Sequence, residues 1–464
     1  MSLQAVLARL ESHFDPFLAE LIEFARIPSI STDPAYGAEV ARAAQWVAGR
    51  LRKAGLPEVE ALETPGHPAV YGEWMTDSTL PTLLIYGHYD VQPPDPLELW
   101  ETPPFAPEVR EVKGERRLYA RGVSDDKGPM LIPILVAEAF KTVLGTPPIN
   151  LKFLFEGEEE IGSQHLESIV LDHRDRLKAD FILSADGAMW RPGVSSLNLS
   201  SRGLVSLEFS LNGPAKDLHS GRHGGGILNP LVAMARLVAS FHEADGRVAV
   251  EGFYDRVREL SSDERRALES VPWSDESYLA EIGAEATYGE AGYSTLERQW
   301  TRPTLEPNGL WGGYTGPGGK TVLPSQAHAK ISCRLVPDQE PDEIRELLIK
   351  HLGRRCPPGM KLEIKPEPHG ARPYAISSSH LGLHIARQVL HKVDGREPLE
   401  ARMGGTLPIA DTFKQVLGLD TVFFSFSTGD EDFHAPNEFF RLSRFKAGLE
   451  AWARYWWALA RLGH

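Results

Sequence analysis

Histidine and aspartate two residues apart close the apolar run Leu83-Leu84-Ile85-Tyr86-Gly87-His88-Tyr89-Asp90. Side chains alternate across a strand, so His88 and Asp90 leave it on one face. A carboxylate beside an imidazole can fix its tautomer and raise its basicity, as carboxylates behind metal-binding histidines do. Other carboxylates gather in short motifs: Asp125 and Asp126 within Gly122-Val123-Ser124-Asp125-Asp126-Lys127-Gly128, the triple Glu158-Glu159-Glu160, and Asp186; His434 ends Gly429-Asp430-Glu431-Asp432-Phe433-His434. Carboxylates and imidazoles without a thiolate suit Zn, Mn or Co better than a structural zinc site. Two such ions about 3.5 to 4 Å apart can hold a hydroxide between them and polarise a carbonyl. Of two adjacent glutamates, one can ligate while its neighbour takes the proton of the water. The chemistry this inventory points to is hydrolysis of an amide or peptide.

The elements that must position these groups follow from hydrophobic pattern. Tyr36 to Ala54 reads as a helix stopped by Gly55. Strands are predicted at Val59 to Leu62 and Ala69 to Trp74, and Leu83 to Tyr86 has the continuous apolar character of a strand buried on both faces. Asn150 to Phe155, Asp180 to Ser184 and Thr421 to Phe426 have the same character, and each runs directly into part of the polar inventory. Strands of this type alternating with helices give an α/β sheet, and open α/β sheets bind ligands at the carboxyl ends of their strands. The apolar helix from Met130 to Leu144 starts just after Asp125 and Asp126, either of which could serve as its N-cap. From Ser201 to about Pro373 the pattern changes: Val205, Leu207, Phe209 and Leu211 alternate with polar residues, as do Ala329, Ile331, Cys333 and Leu335. That is the period of half-buried antiparallel strands. The expected organisation is a first part of a catalytic α/β domain at 1–200, an inserted α+β domain at 201–373, and the rest of the first domain at 374–464. Between 244 and 307 the pattern supports only scattered helix.

With 464 residues, 42% of them hydrophobic, the chain exceeds what one core usually serves. Lysine and arginine number 49 against 64 acidic residues, a net −15, which argues against a nucleic-acid surface. Cys333 and Cys356 are the only cysteines, too few for a disulfide framework. The N-terminus patterns as an amphipathic helix, and no apolar stretch reaches the roughly 20 residues of a membrane helix. A soluble, cytoplasmic protein without a membrane partner is expected. Gly318-Gly319-Lys320-Thr321 resembles the end of a phosphate loop, but the position where that motif needs its first glycine is Tyr314. His242-Glu243 is followed by Ala244-Asp245-Gly246, so no HExxH helix exists there, and the GxSxG elbow of serine hydrolases is also lacking.

Taken together, His88-Tyr89-Asp90-Val91-Gln92-Pro93, the Gly122 to Gly128 motif, Glu156-Gly157-Glu158-Glu159-Glu160-Ile161-Gly162-Ser163 and Asp217-Leu218-His219-Ser220-Gly221 resemble the dinuclear metallopeptidase family of carnosinases and cytosolic nonspecific dipeptidases. Succinyl-diaminopimelate desuccinylases, acetylornithine deacetylases, aminoacylases and glutamate carboxypeptidases belong to the same family. The resemblance implies a zinc-peptidase-like mixed sheet flanked by helices, with the inserted domain as lid and dimerisation domain of a homodimer. It implies two divalent ions, Zn first and Mn or Co as alternatives. Asp125 would bridge them, His88 and Asp186 would complete one site, and Glu160 and His434 the other. Glu159 would be the general base and Asp90 would orient His88. The flanking Glu156-Gly157 and Gly162-Ser163 set this register and leave Glu158 a bystander. His219 would stabilise the oxyanion, often from the partner subunit in this family, and Arg334 would grip the substrate carboxylate. Gly404-Gly405-Thr406 opens a helix whose free N–H groups could hold the substrate terminus.

The function implied is hydrolysis of dipeptides or short peptides. An N-acyl amino acid deacylase or desuccinylase would use the same ions on another amide, and a non-catalytic binding homologue is the rival from a different class. The inserted domain is longer than that of the desuccinylases, which favours a dipeptidase.

Overall fold

The computed structural model describes residues 2–366, 370–405 and 408–462. They form two compact units, one of residues 1–199, 376–401 and 412–464, the other of 200–375 and 402–411. Residues 402–411 thus group with the second unit, although pattern alone places them with the C-terminal part of the first.

The first unit is built on a sheet with six strands among the described residues, in the order Glu58–Leu62, Ala69–Trp74, Asn150–Glu156, Thr82–His88, Phe181–Ser184 and Thr421–Phe423. The last four run parallel, and the first two close the edge antiparallel. Thr82–His88 lies in the middle and is buried almost throughout, as its unbroken apolar run requires. His88 is level with Glu156 in the ladder, so both strands release their loops at the same edge. The Phe181–Ser184 and Thr421–Phe423 strands point the same way and deliver Asp186 and the 424–434 loop there.

Helix Gly128–Leu144 carries Pro133 in its interior and packs against Leu442–Leu459 and Gly37–Ala54. Neither Asp125 nor Asp126 caps it: Lys127 is its N-cap and no side chain accepts a hydrogen bond there. Asp126 is used elsewhere, since its Oδ2 accepts the backbone N–H of His88 at 3.2 Å. This contact explains Gly87, where a Cβ would lie 2.7 Å from that oxygen and 2.9 Å from the Cβ of Met130.

The second unit carries an antiparallel sheet in the order Thr304–Gly312, Gln326–Leu335, Gly203–Asn212 and Lys361–Pro366. Val205, Leu207, Phe209, Leu211, Ala329, Ile331, Cys333 and Leu335 are buried in one core with residues of helices Pro230–Ala239 and Pro341–Arg355. The intervening polar positions form the opposite face. Within 244–307 the helices are Ser262–Glu269, Asp275–Ile282 and Thr295–Trp300; the first and third begin with capping boxes, Ser261 with Glu264 and Ser294 with Glu297. No helix of the described residues is long and apolar enough to cross a membrane.

Candidate active site

The strand edge of the first unit brings together all seven of the polar groups expected there. His88 is fully buried. Its Nδ1 lies 3.4 Å from Asp90 Oδ1 and 3.1 Å from the Asp90 carbonyl, and its Nε2 faces Asp125 Oδ1 at 3.1 Å. His434 Nε2 meets the other oxygen of the same carboxylate, Asp125 Oδ2, at 2.9 Å, and lies 3.2 Å from Glu160 Oε2. One oxygen of Asp125 therefore faces each imidazole, an arrangement suited to a carboxylate shared by two cations. Potential ligand atoms of His88, Asp125 and Glu160 lie within 4.8 Å of one another, as do those of His88, Asp126 and Asp186.

Asp90 has a second task that the sequence did not disclose. Its two oxygens accept the backbone N–H groups of Glu159 (3.2 Å) and Glu160 (3.1 Å). One carboxylate thus faces the imidazole of His88 and anchors the adjacent glutamates. Gln92 donates from Nε2 to Glu160 Oε2 at 2.9 Å, further fixing that side chain.

The triple glutamate is not a solvated patch. Glu158 is buried, receives the His67 N–H at 3.0 Å and lies 2.8 Å from His165 Nδ1, so it ties down the start of the loop. Its carboxylate is engaged there and is absent from the ligand groupings around His88.

Two acids that no sequence signal marks hold the loop that carries Asp125. Glu438 Oε1 accepts the N–H groups of Ser124 (2.9 Å) and Asp125 (3.2 Å), while Oε2 accepts from Gly122 N (2.8 Å) and Arg121 Nη1 (2.8 Å). Glu431 accepts from the Ser124 hydroxyl, Thr428 N and Arg441 N, joining the Asp125 loop to the loop that carries His434. His434 has φ +58, in the left-handed region that non-glycine residues seldom occupy. No motif marks Glu438, since it acts through backbone N–H groups 313 to 316 positions away. Removing it as Glu438→Ala would leave the buried Arg121 guanidinium and three N–H groups without their acceptor. Loss of one partner of a buried pair costs roughly 3–5 kcal/mol, and denaturant unfolding should register a loss of that size.

Charge balance indicates what the site accommodates. Burial pushes the Glu159 carboxyl well above the ordinary range, and neighbouring Asp186, Glu160 and Asp125 push the same way, against His88. Asp186 is raised to about 6, chiefly by burial, and Glu160 and Asp126 are also raised by burial first. Hydrogen bonds to Asp125 and Glu160 lift His434 to about 10. Among the described residues no lysine or arginine forms an ion pair with Asp125, Asp126, Glu159, Glu160 or Asp186. Such a concentration of carboxylates around two imidazoles fits divalent cations, by donor type and by charge.

The remaining candidates lie on the second unit. His219 is exposed; its Nδ1 accepts the Gly221 N–H at 3.1 Å and its Nε2 is 3.5 Å from the Thr321 hydroxyl. Arg334 is half-buried on the polar face of its strand, opposite Leu204 and Thr304. Gly404 and Gly405 form a turn whose carbonyls are both held by Arg202. Thr406 lies outside the described residues.

Comparison with known proteins agrees with this geometry. The chain is 29% identical over 469 residues to the Cys-Gly metallodipeptidase dug1 of Schizosaccharomyces pombe, covering 98% of each. It is 28% identical over 488 residues to the Beta-Ala-His dipeptidase of Homo sapiens, covering 99% of this chain and 93% of that one. Among solved structures, the M20 family metallo-carboxypeptidase Sso-CP2 from Sulfolobus solfataricus superposes with a TM-score of 0.83 at 32% identity, covering 96% of this chain and 99% of that one. The profile of peptidase family M20/M25/M40 matches residues 84–458. A match that runs from the strand bearing His88 into the last helix leaves no room for another assignment: the chain belongs to peptidase family M20/M25/M40.

Proposed function

We propose that the protein is a metal-dependent dipeptidase that holds two divalent ions, zinc first, between His88, Asp186, Asp125, Glu160 and His434. The observation that carries this reading is the single carboxylate of Asp125, one oxygen toward His88 and the other toward His434, with the half-buried Glu159 beside them. Divalent ions bound there supply Lewis-acid polarisation of the scissile carbonyl and a lowered pKa for water. The chain supplies the proton traffic. Glu159 takes a proton from the attacking water and returns it to the leaving nitrogen, so a carboxyl whose pKa is raised by burial is suited to both halves. Asp90 holds Glu159 and Glu160 in register and orients His88. On the second unit, His219 is assigned to the oxyanion, and Arg334 with the Gly404-Gly405 turn to the substrate carboxylate.

The favoured substrates are dipeptides, as in the names of the Schizosaccharomyces pombe Cys-Gly metallodipeptidase and the human Beta-Ala-His dipeptidase. The 32% identity to a metallo-carboxypeptidase supports a second reading, removal of one residue from the carboxyl end of longer or N-blocked peptides. A panel of free dipeptides, N-blocked dipeptides and N-acetyl or N-succinyl amino acids separates them. Free dipeptides should be turned over at least tenfold faster than the others; turnover of acylated amino acids alone would mean a deacylase.

The assembly proposed is a homodimer through the second unit. Exposed Leu310 and Trp311 lie on Thr304–Gly312, an edge strand, and helix Pro230–Ala239, which packs on that strand, exposes Val232. Exposed apolar side chains along a sheet edge invite a second copy. Sedimentation should give twice the chain mass of 51.4 kDa, and a monomer would remove this part. A cytoplasmic location is part of the same reading, supported by two free cysteines, and is checked by fractionating the native cell.

A further inference from the structure

The cavity that Arg334 lines within the second unit contains another guanidinium in an unusual setting. Its volume is about 440 Å³, and Arg202, Thr304, Glu306, Ser332 and Arg334 line it together. Arg202 comes two residues before Leu204, which pairs with Arg334 across the antiparallel ladder. Alternation along extended chain therefore puts the two arginines on the same polar face at the same end of the sheet.

Arg202 grips the 404–405 turn twice. Its backbone N–H donates to the Gly405 carbonyl at 2.9 Å, and its Nε donates to the Gly404 carbonyl at 2.8 Å. A Cβ at Gly404 would lie 3.2 Å from the Gln299 carbonyl oxygen and at an ordinary contact distance, 3.4 Å, from Arg202 Nη2.

What remains is a pair of unused donors. Among the described residues, the guanidinium of Arg202 makes its hydrogen bond through Nε, and Nη1 and Nη2 have no acceptor. Arg302, lining the same cavity, shows the ordinary alternative, with ion pairs to Glu290 at 2.8 Å and Glu259 at 3.0 Å. Burial, and then the charge of Arg334, lower Arg202 to about 10, which still leaves it cationic at neutral pH. Beside Glu290, which pairs with Arg302, the two neighbouring guanidiniums share the cavity with one acid, Glu306, so the pair keeps a net positive charge that an incoming anion offsets.

We propose that Arg202 and Arg334 form a two-guanidinium receptor for the terminal carboxylate of the substrate, with Arg202 also setting the Gly404-Gly405 turn against it. This rests on the assignment of Arg334 to the substrate carboxylate, and the test keeps the two apart. The measurement is kcat/KM of the metal-loaded full-length protein on alanyl-alanine and on alanyl-alanine amide, for wild type, R202M, R202K and R334M. A charge-assisted hydrogen bond to a carboxylate corresponds to roughly a 10- to 100-fold effect. R202M should therefore lower kcat/KM about 30-fold on the acid, mainly through KM, and less than threefold on the amide. R202K keeps a charge but cannot donate to Gly404 and to a carboxylate in the same way, so its acid-to-amide ratio should fall about fivefold; it carries the test if R202M does not fold.

Equal losses on acid and amide in the Arg202 variants, or an unchanged ratio, would make Arg202 a structural residue and overturn the proposal. If R334M loses the preference for the acid while R202M and R202K keep it, the proposal fails and the assignment of Arg334 stands. If neither arginine alters the preference, both fail.

Discussion

Glu159→Gln is expected to lower kcat on a dipeptide by about a thousandfold, in the middle of the range for general acid–base catalysis, while the bound metal stays at the wild-type level. Glutamine keeps the volume and one carbonyl oxygen of the side chain. It also keeps the backbone N–H that donates to Asp90 at 3.2 Å, so the loop that positions Glu160 is unchanged. What disappears is the capacity to accept a proton from water and return it to the leaving nitrogen. The buried setting that pushes the Glu159 carboxyl upward favours the neutral amide, so the variant should be at least as stable as wild type. Metal analysis together with steady-state rates checks this. A fully active variant would remove Glu159 from the mechanism, and an inactive variant stripped of metal would make it a ligand instead.

Asp125→Asn is expected to cut bound metal from two ions to one or none and to abolish most turnover. The amide replaces one carboxylate oxygen by an NH2 group, a donor that cannot ligate a cation. Because Oδ1 faces His88 at 3.1 Å and Oδ2 faces His434 at 2.9 Å, either orientation of the amide deprives one of the two imidazoles of its shared oxygen. Metal-ion catalysis is worth several kcal/mol, which corresponds to a fall of about 10³ to 10⁴ in kcat. Retention of both ions by this variant would show that the carboxylate is not shared.

The parts of the site carried by strand ends were legible in sequence, because a buried parallel strand is a continuous apolar run and its carboxyl end is where the run breaks into polar residues. His88, Glu159, Glu160 and Asp186 all follow such runs. Asp125 and His434 lie on longer loops, and only their motifs drew attention to them. The groups that fix those loops were not legible: Glu438 and Glu431 act on backbone N–H groups and hydroxyls hundreds of positions away, a relation with no local period. The Glu115–Tyr119 and Phe439–Arg441 strands, which pair and set Glu438 beside Ala120, were likewise missed; they are short and flanked by charge. Aspartate before an apolar helix usually caps it, yet Asp126 accepts the N–H of His88. By contrast, the helices Ser262–Glu269 and Thr295–Trp300 in the poorly patterned 244–307 stretch carried a readable signal, serine followed three residues later by glutamate.

We expect a dependence of hydrolysis on two cations held around the Asp125 carboxylate. Its most direct test is to strip the protein with a chelator and titrate zinc, manganese or cobalt back while following dipeptide hydrolysis and bound metal together. Activity should be absent in the stripped protein and rise to its plateau only as binding approaches two ions per chain. Full activity without metal, or a plateau at one ion per chain, would contradict a dinuclear mechanism.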